Sequence, residues 1–242
     1  MRRVLGAAGL VVAGVWVMSG CSHLLPPQSM TETKTLDQSV TSIKLDGRSG
    51  GVTVHGQAGL AKITVQRKIT YHDTTPKQDT YRVDGGVLVL SGDCGTNCSV
   101  DYDVTAPAGL PVSGKTDNGG VELRNVGAVD VTTSSGEIDL ADVAGTVKAE
   151  TSNGEITGRG LRGGNVQAKT SNGRIDLALL EPGDVTARTD NGDIKLAVPA
   201  GGYRVTTQNH NGHRKIGVTE DPNGKNTLDL GSDNGDIEVA QA

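Results

Sequence analysis

The chain has 242 residues, with 23 Lys and Arg against 28 Asp and Glu for a formal net charge of −5, 35 glycines and no phenylalanine. The acidic balance leaves no basic surface for nucleic acid, and four tyrosines and one tryptophan are too few large aromatics for an ordinary thick globular core. Glycine is roughly twice as frequent as the usual 7%, but it falls at regular intervals between Val, Ile and Leu alternations, which points to ordered β structure rather than disorder.

At the start of the chain, Arg2 and Arg3 precede an unbroken apolar stretch from Val4 to Met18, and Ser19, Gly20 and Cys21 follow. This order predicts a secretory signal over residues 1–20, cleaved before Cys21. The stretch is shorter than the about 20 residues of a transmembrane helix. The segment resembles the signal of bacterial lipoproteins, which implies a diacylglycerol on the Cys21 thiol and a membrane anchor; an ordinary signal with a chance cysteine is the rival. Cleavage removes Trp16 and two arginines, leaving 21 basic against 28 acidic side chains, a net of −7.

Residues 21–39, with Pro26 and Pro27, read as a flexible tether. Residues 40–115 read as an N-terminal antiparallel β cap. Its predicted strands are Val40 to Asp46, Gly51 to His55 and Leu60 to Tyr71, then an antiparallel pair, Gly86 to Leu90 and Ser99 to Thr105. Cys94 and Cys98 flank the turn formers Gly95 and Asn97 between the last two. In an exported chain with Cys21 lipidated, that pair reads as a disulfide. Two thiols cannot complete a zinc shell.

From residue 116 one pattern recurs: a Thr or Ser, two residues that usually end in Asn, a glycine, then alternation around Val, Ile or Leu. The turn glycines are Gly119, Gly136, Gly154, Gly173, Gly192, Gly212 and Gly235, spaced by 17, 18, 19, 19, 20 and 23 residues. A second strand such as Val147-Lys-Ala-Glu-Thr151 leads into each turn, and its period of two puts Val147 and Ala149 on one face. A unit this small cannot bury its own apolar face, so the units must stack. The fold class is therefore all-β: a parallel β-solenoid (β-helix) over 116–242, with about seven coils of 17–23 residues. Antiparallel meanders are the rival, because Asn-Gly is also a hairpin signal. The Asn-Gly corners are expected to use positive φ, and Asn118, Asn153, Asn172, Asn191 and Asn234 to form an amide ladder.

Ser49-Gly-Gly-Val-Thr-Val54, the run Tyr102-Asp-Val-Thr-Ala-Pro-Ala-Gly109 and the Ser/Asp-Asn-Gly-x-Ile-x-Leu repeats together resemble the bacterial adhesin-like family DUF4097 over about residues 40–242. The resemblance implies a β-solenoid on the cell envelope and supplies no catalytic residues.

Outward acids are plentiful. Glu137, Glu155, Asp193 and Asp236 follow a turn glycine; Glu122, Asp139, Asp176 and Glu238 stand further along the strand, and Arg174 and Lys195 interrupt both columns. Recurrence once per coil is the look of a solvated face, not of two carboxylates singled out for glycoside hydrolysis. His210 and His213 straddle one turn as a rival metal pair. The reading is a non-catalytic envelope lipoprotein displaying an adhesin-like solenoid, with no cofactor, no metal and no nucleic acid. Its partners are the membrane, through Cys21, and an envelope protein or polymer. An envelope-bound polysaccharide-active enzyme and a cation-responsive stress module are the alternatives.

Overall fold

A computed structural model describes residues 26–72 and 75–242; the predicted signal and Cys21 lie outside them. The N-terminal section holds β1 (Gln28–Leu36), β2 (Ser42–Asp46), β3 (Val52–Gln57), β4 (Ile63–Tyr71), β5 (Tyr81–Asp84), β6 (Val87–Ser91) and β7 (Cys98–Pro107). The regular repeats supply β8 (Val112–Asn118), β9 (Val121–Arg124), β10 (Val129–Ser135), β11 (Ile138–Ala141), β12 (Val147–Asn153), β13 (Ile156–Leu161), β14 (Asn165–Asn172), β15 (Ile175–Leu179), β16 (Asp184–Asn191) and β17 (Ile194–Val198). The last section adds β18 (Gly202–Asn211), β19 (Arg214–Ile216), β20 (Thr219–Glu220), β21 (Asn226–Asn234) and β22 (Ile237–Gln241).

These strands build two sheets. Sheet A runs β1-β4-β7-β3-β9-β11-β13-β15-β17-β22-β19, and sheet B runs β5-β6-β2-β8-β10-β12-β14-β16-β21-β18-β20. Each coil contributes one strand to each sheet and pairs in parallel with the coils beside it, as Val129 does with Val112 and Val147. The rival meander is thereby excluded. The seven predicted coils are present and two more lie beyond them, β2/β3 and β6/β7, giving nine parallel coils and a rod of about 40 Å at 4.8 Å per coil.

The coils do not stack in chain order at either end. At one end β2/β3 sits between β8/β9 and the later β6/β7; at the other, β21/β22 inserts between β16/β17 and the earlier β18/β19. The degraded Asn211-Gly212 coil is thus outermost. With only the two-residue β20 on its outer side it buries little, and its half-exposed β18 has less need of the apolar alternation.

Three expectations about the N-terminal section need correction. The flexible tether 21–39 contains a nine-residue strand, β1, paired antiparallel with β4 from Gln28 to Leu36. Its sequence hides this because only Leu36 is fully buried; the signal was Thr31, Thr33 and Thr35 at period two. Within the cap 40–115 only the pairs β4–β7 and β5–β6 are antiparallel, and its boundary with the solenoid falls inside β8. Finally, β6 and β7 are not a hairpin. They lie in opposite sheets as one coil, and the disulfide Cys94–Cys98, with Cα atoms 6.0 Å apart, closes the corner between them.

The core is the slot between the sheets. One inner row crosses all of sheet A: Glu32, Arg67, Tyr102, Val52, Val121, Ile138, Ile156, Ile175, Ile194, Ile237 and Arg214. From Val52 to Ile237 every member is aliphatic and buried. Tyrosines occur only at the ends, Tyr71, Tyr81 and Tyr102 at one and Tyr203 at the other. Between parallel coils the slot is as wide as an aliphatic side chain; at the ends, a ring can lie under the last coil and reach a free carbonyl, as Tyr203 does to Pro199 (2.8 Å). Burial pushes the Tyr102 hydroxyl up to about 12, against the Thr80 and Ser91 carbonyls.

Replacing Cys98 by Ser should lower stability by about 2 kcal/mol, the chain-entropy value for so short a loop. Urea melts read this directly. The oxidised wild type should lose that increment on reduction, and Cys98→Ser should not respond to reductant; equal midpoints for all three states would show that the link stabilises nothing.

Candidate functional site

The repeat residues converge on one corner of the rod, where three columns run side by side. The first is glycine. A Cβ on any of the seven turn glycines would lie well inside the 3.0 Å that real Cβ atoms keep, against the carbonyl of the turn glycine in the adjacent coil. Close approach therefore selects glycine here. Positive φ is not the common cause, contrary to the expectation: Gly136, Gly154 and Gly173 lie outside that region, and its only non-glycine members among the described residues are Asn97, Asn125 and Asp142.

Beside it runs a column of buried hydroxyls. Thr133, Thr151, Thr170, Thr189 and Ser232 donate to the carbonyls of Gly119, Gly136, Gly154, Gly173 and Gly192 at 2.8–3.2 Å, and Asn209 takes the same role against Gly235 in the end coil. Burying a hydroxyl without such a partner costs free energy. These threonines head each repeat in the sequence, and period two carried on from Val129 and Val131 already points Thr133 inward. The column stops at Thr116, whose hydroxyl has no partner among the described residues.

The third column is the amide ladder. Asn211 donates to Asn234, Asn234 to Asn191, Asn191 to Asn172 and Asn172 to Asn153, each at 3.0–3.1 Å. Asn118 does not join, because its neighbour in register is Ser135. Asn211, from the degraded repeat, does.

Several outward acids are met by bases, while Glu137 and Glu155 make no ion pair among the described residues. Arg124 reaches Glu122 (2.7 Å) and Asp139 (3.0 Å), and Thr157 also donates to Asp139 (2.8 Å). Asp176 stands between Thr157 and Lys195 in register. Lys215 pairs with Glu238 (2.6 Å) and holds that carboxyl below its ordinary range. On sheet B, Arg188 pairs with Asp229 (2.6 Å), and Lys148 lies between Asp130 and Glu150. Arg174 approaches Asp193 at 4.0 Å. These cross-strand pairs are the ordinary currency of an exposed sheet face.

His210 and His213 do not converge either. His210 Nδ1 lies 3.0 Å from Asp233, and His213 lies 3.3 Å from Asp236, whose carboxyl is held low chiefly by the His213 backbone N–H. Among the described residues no group of three His, Cys, Asp or Glu is placed to hold a metal ion, and no helix is long and apolar enough to cross a membrane. One open depression of about 540 Å³ is lined by Asp46, Arg48, Ser91, Asp93, Lys115 and Asp117 with Gly47, so both charge signs are mixed; another of similar volume is lined by Thr75 to Gln78 and Cys94 to Thr96.

What decides the family is the match of the amino-acid sequence to a family model: the Toastrack DUF4097 model covers residues 40–240. The chain belongs to the Toastrack DUF4097 family. Three solved structures are similar to this Toastrack chain. A putative adhesin from Bacteroides fragilis is 13% identical, with 89% of this chain and 99% of that one covered at a TM-score of 0.50. A putative cell adhesion protein from Clostridium sporogenes is 14% identical over 90% and 100% (TM-score 0.35), and a putative adhesin from Parabacteroides merdae 13% identical over 89% and 96% (TM-score 0.35). At such identity the likeness shows the fold alone. No curated protein matches the chain.

Proposed function

We propose that this Toastrack protein is a non-catalytic bacterial envelope lipoprotein, anchored through Cys21 and displaying its solenoid to bind or scaffold a surface polymer or protein. The observation that carries the reading is the treatment of charge. Outward acids recur once per coil along an exposed face, and several are answered by Arg, Lys or Thr on the next strand, so no pair of carboxylates is set apart for proton transfer. The names of the structural relatives, adhesins, are in keeping with display at a surface. Faces without Trp or Phe favour polar contacts with a partner over stacking on sugars. The signal pattern ending at Cys21 supports an anchor, and two acyl chains make a stable one.

One experiment tests both parts. Full-length protein extracted from membranes in detergent should carry a diacylglyceryl mass on Cys21, and Cys21→Ala should accumulate unlipidated. The detergent-purified protein, incubated with envelope extracts and wall glycans, with calcium or chelator, should retain a partner and leave glycan lengths unchanged. Shortened glycans, abolished by Asp176→Asn or Asp193→Asn, would establish an enzyme instead; retention lost with chelator would assign the acidic columns to cation bridging.

A further inference from the structure

The inner row of sheet A ends in an arginine–carboxylate pair at both ends of the rod, although its middle is entirely aliphatic. At one end Arg67 occupies the row position beyond Tyr102. Its guanidinium pairs with Glu32 on the edge strand β1 (2.6 and 2.9 Å), donates to Thr80 Oγ1 (3.1 Å) and the Gln78 carbonyl (3.4 Å), and lies 5.7 Å from the centre of the Tyr81 ring. It thus crosses from sheet A to the start of β5 in sheet B.

The other end repeats the device with unrelated residues. Arg214 stands where the adjacent coil has Ile237, and its guanidinium donates to Thr207 Oγ1 on β18 (3.0 Å) and to Glu220 on β20 (2.7 Å), both in sheet B. Thr207 itself sits beside Leu230, where the adjacent coil is apolar and buried. Both inner rows therefore turn polar in the same coil, while Val205 and Ile216 remain partly covered.

This coil is an open template in every other respect. On its outer side β18 is paired only at Gly202 and Tyr203, by the two-residue β20, and β19 is the last strand of sheet A. The unpaired edges of β18 and β19 would accept the same two edges of a second copy, brought up end to end. What forbids it is the inner row: an added coil would seal a guanidinium and a carboxylate in an aliphatic slot.

We infer that Arg67 and Arg214 are end-stops, struts across the two mouths of the core that close it and prevent a second copy of this chain from continuing the sheets end to end. Inward-pointing charge on an edge strand is a physical means of blocking edge pairing, and its occurrence at both ends of one row ties it to the stacking axis.

Sedimentation equilibrium of the full chain in density-matched detergent tests this. Wild type should sediment as one copy at every concentration reached. Arg214→Val and Arg214→Leu should keep a cooperative melt and associate to two copies at least about tenfold more tightly than wild type, and stop at two because Arg67 still closes the far end. Arg214→Lys should remain a single copy. Folded apolar variants that stay single would overturn the inference, as would wild-type protein cross-linked through its own Arg214 ends. Loss of folding in both apolar variants, with Arg214→Lys intact, would also overturn it, by making the arginine a requirement of the fold instead of a stop.

Discussion

Gly173→Ala should destabilise the protein by about 1–3 kcal/mol, the cost of overpacking a site that cannot relax, while Gly164→Ala, nine residues away, should be neutral or stabilise it by roughly 0.4–1 kcal/mol. Both changes add one methyl. At Gly173 the new Cβ meets the Gly154 carbonyl oxygen, with Glu155 N at 3.1 Å, whereas at Gly164 nothing lies within 4 Å. The Gly154 carbonyl is also the acceptor for Thr170, so moving it aside breaks that bond and leaves a buried hydroxyl unpaired. Neither glycine has the positive φ that would confuse the comparison. Urea midpoints at equal slope measure the difference. Similar shifts for the two variants would mean that the corner column is not the tight element described.

Deleting residues 155–173 should leave a folded, cooperatively melting protein that is one coil shorter, by about 4.8 Å, whereas deleting β14 alone, residues 165–172, should abolish the cooperative transition. The first cut joins Gly154 to Arg174 and brings Ile138 beside Ile175 and Val147 beside Val185, pairs that the existing registers already align through the missing coil. Asn191 then meets Asn153 in the ladder. In a solenoid each coil is stabilised by its immediate neighbours, so a whole unit can leave at the cost of one interface. The half-coil cut removes a strand from sheet B and keeps its counterpart in sheet A, which puts every later residue on the wrong sheet. Far-UV circular dichroism and thermal melts distinguish the cases, and equal loss of structure in both deletions would sink the unit-by-unit account.

The seven regular coils are legible because two independent signals coincide there: alternation of period two, and a glycine that close approach makes irreplaceable at each corner. Ser49-Gly50-Gly51 could be read as an early copy for the same reason. The β6/β7 coil could not, since its corner is built from Asp93 to Asn97 and a disulfide and carries no Asn-Gly signal. Nor does the order of stacking show in the repeats. Val52, Val121, Ile138 and Ile237 present nearly the same surface to a neighbour, so any coil could sit beside any other; order is fixed by residues that fit only at an end, such as Tyr102, Tyr203 and Arg214. Of the corner residues, the glycines and most of the asparagines are legible, but the inward hydroxyls show in the sequence only as the first letter of a motif. The outer face of the acids follows from the period of two, while their pairing depends on the next strand over and therefore on that same order.

The late insertion of β21/β22 between β16/β17 and β18/β19 bears on how the chain reaches this structure. A solenoid stacked strictly in chain order can zip up vectorially, each coil seating on the one made before it. Here β18 and β19 emerge first yet find their parallel partners only when residues 226–241 arrive. Until then the aliphatic rows of β16 and β17 end in an uncovered edge, which is prone to adhere to other chains. The two terminal coils must therefore settle together in one step of high sequence separation, between residues as far apart as Val185 and Leu228. A chain cut short before β21 would keep Arg214 but lack the coil on which β18 and β19 seat, so shortened translation products would betray themselves by a sticky end.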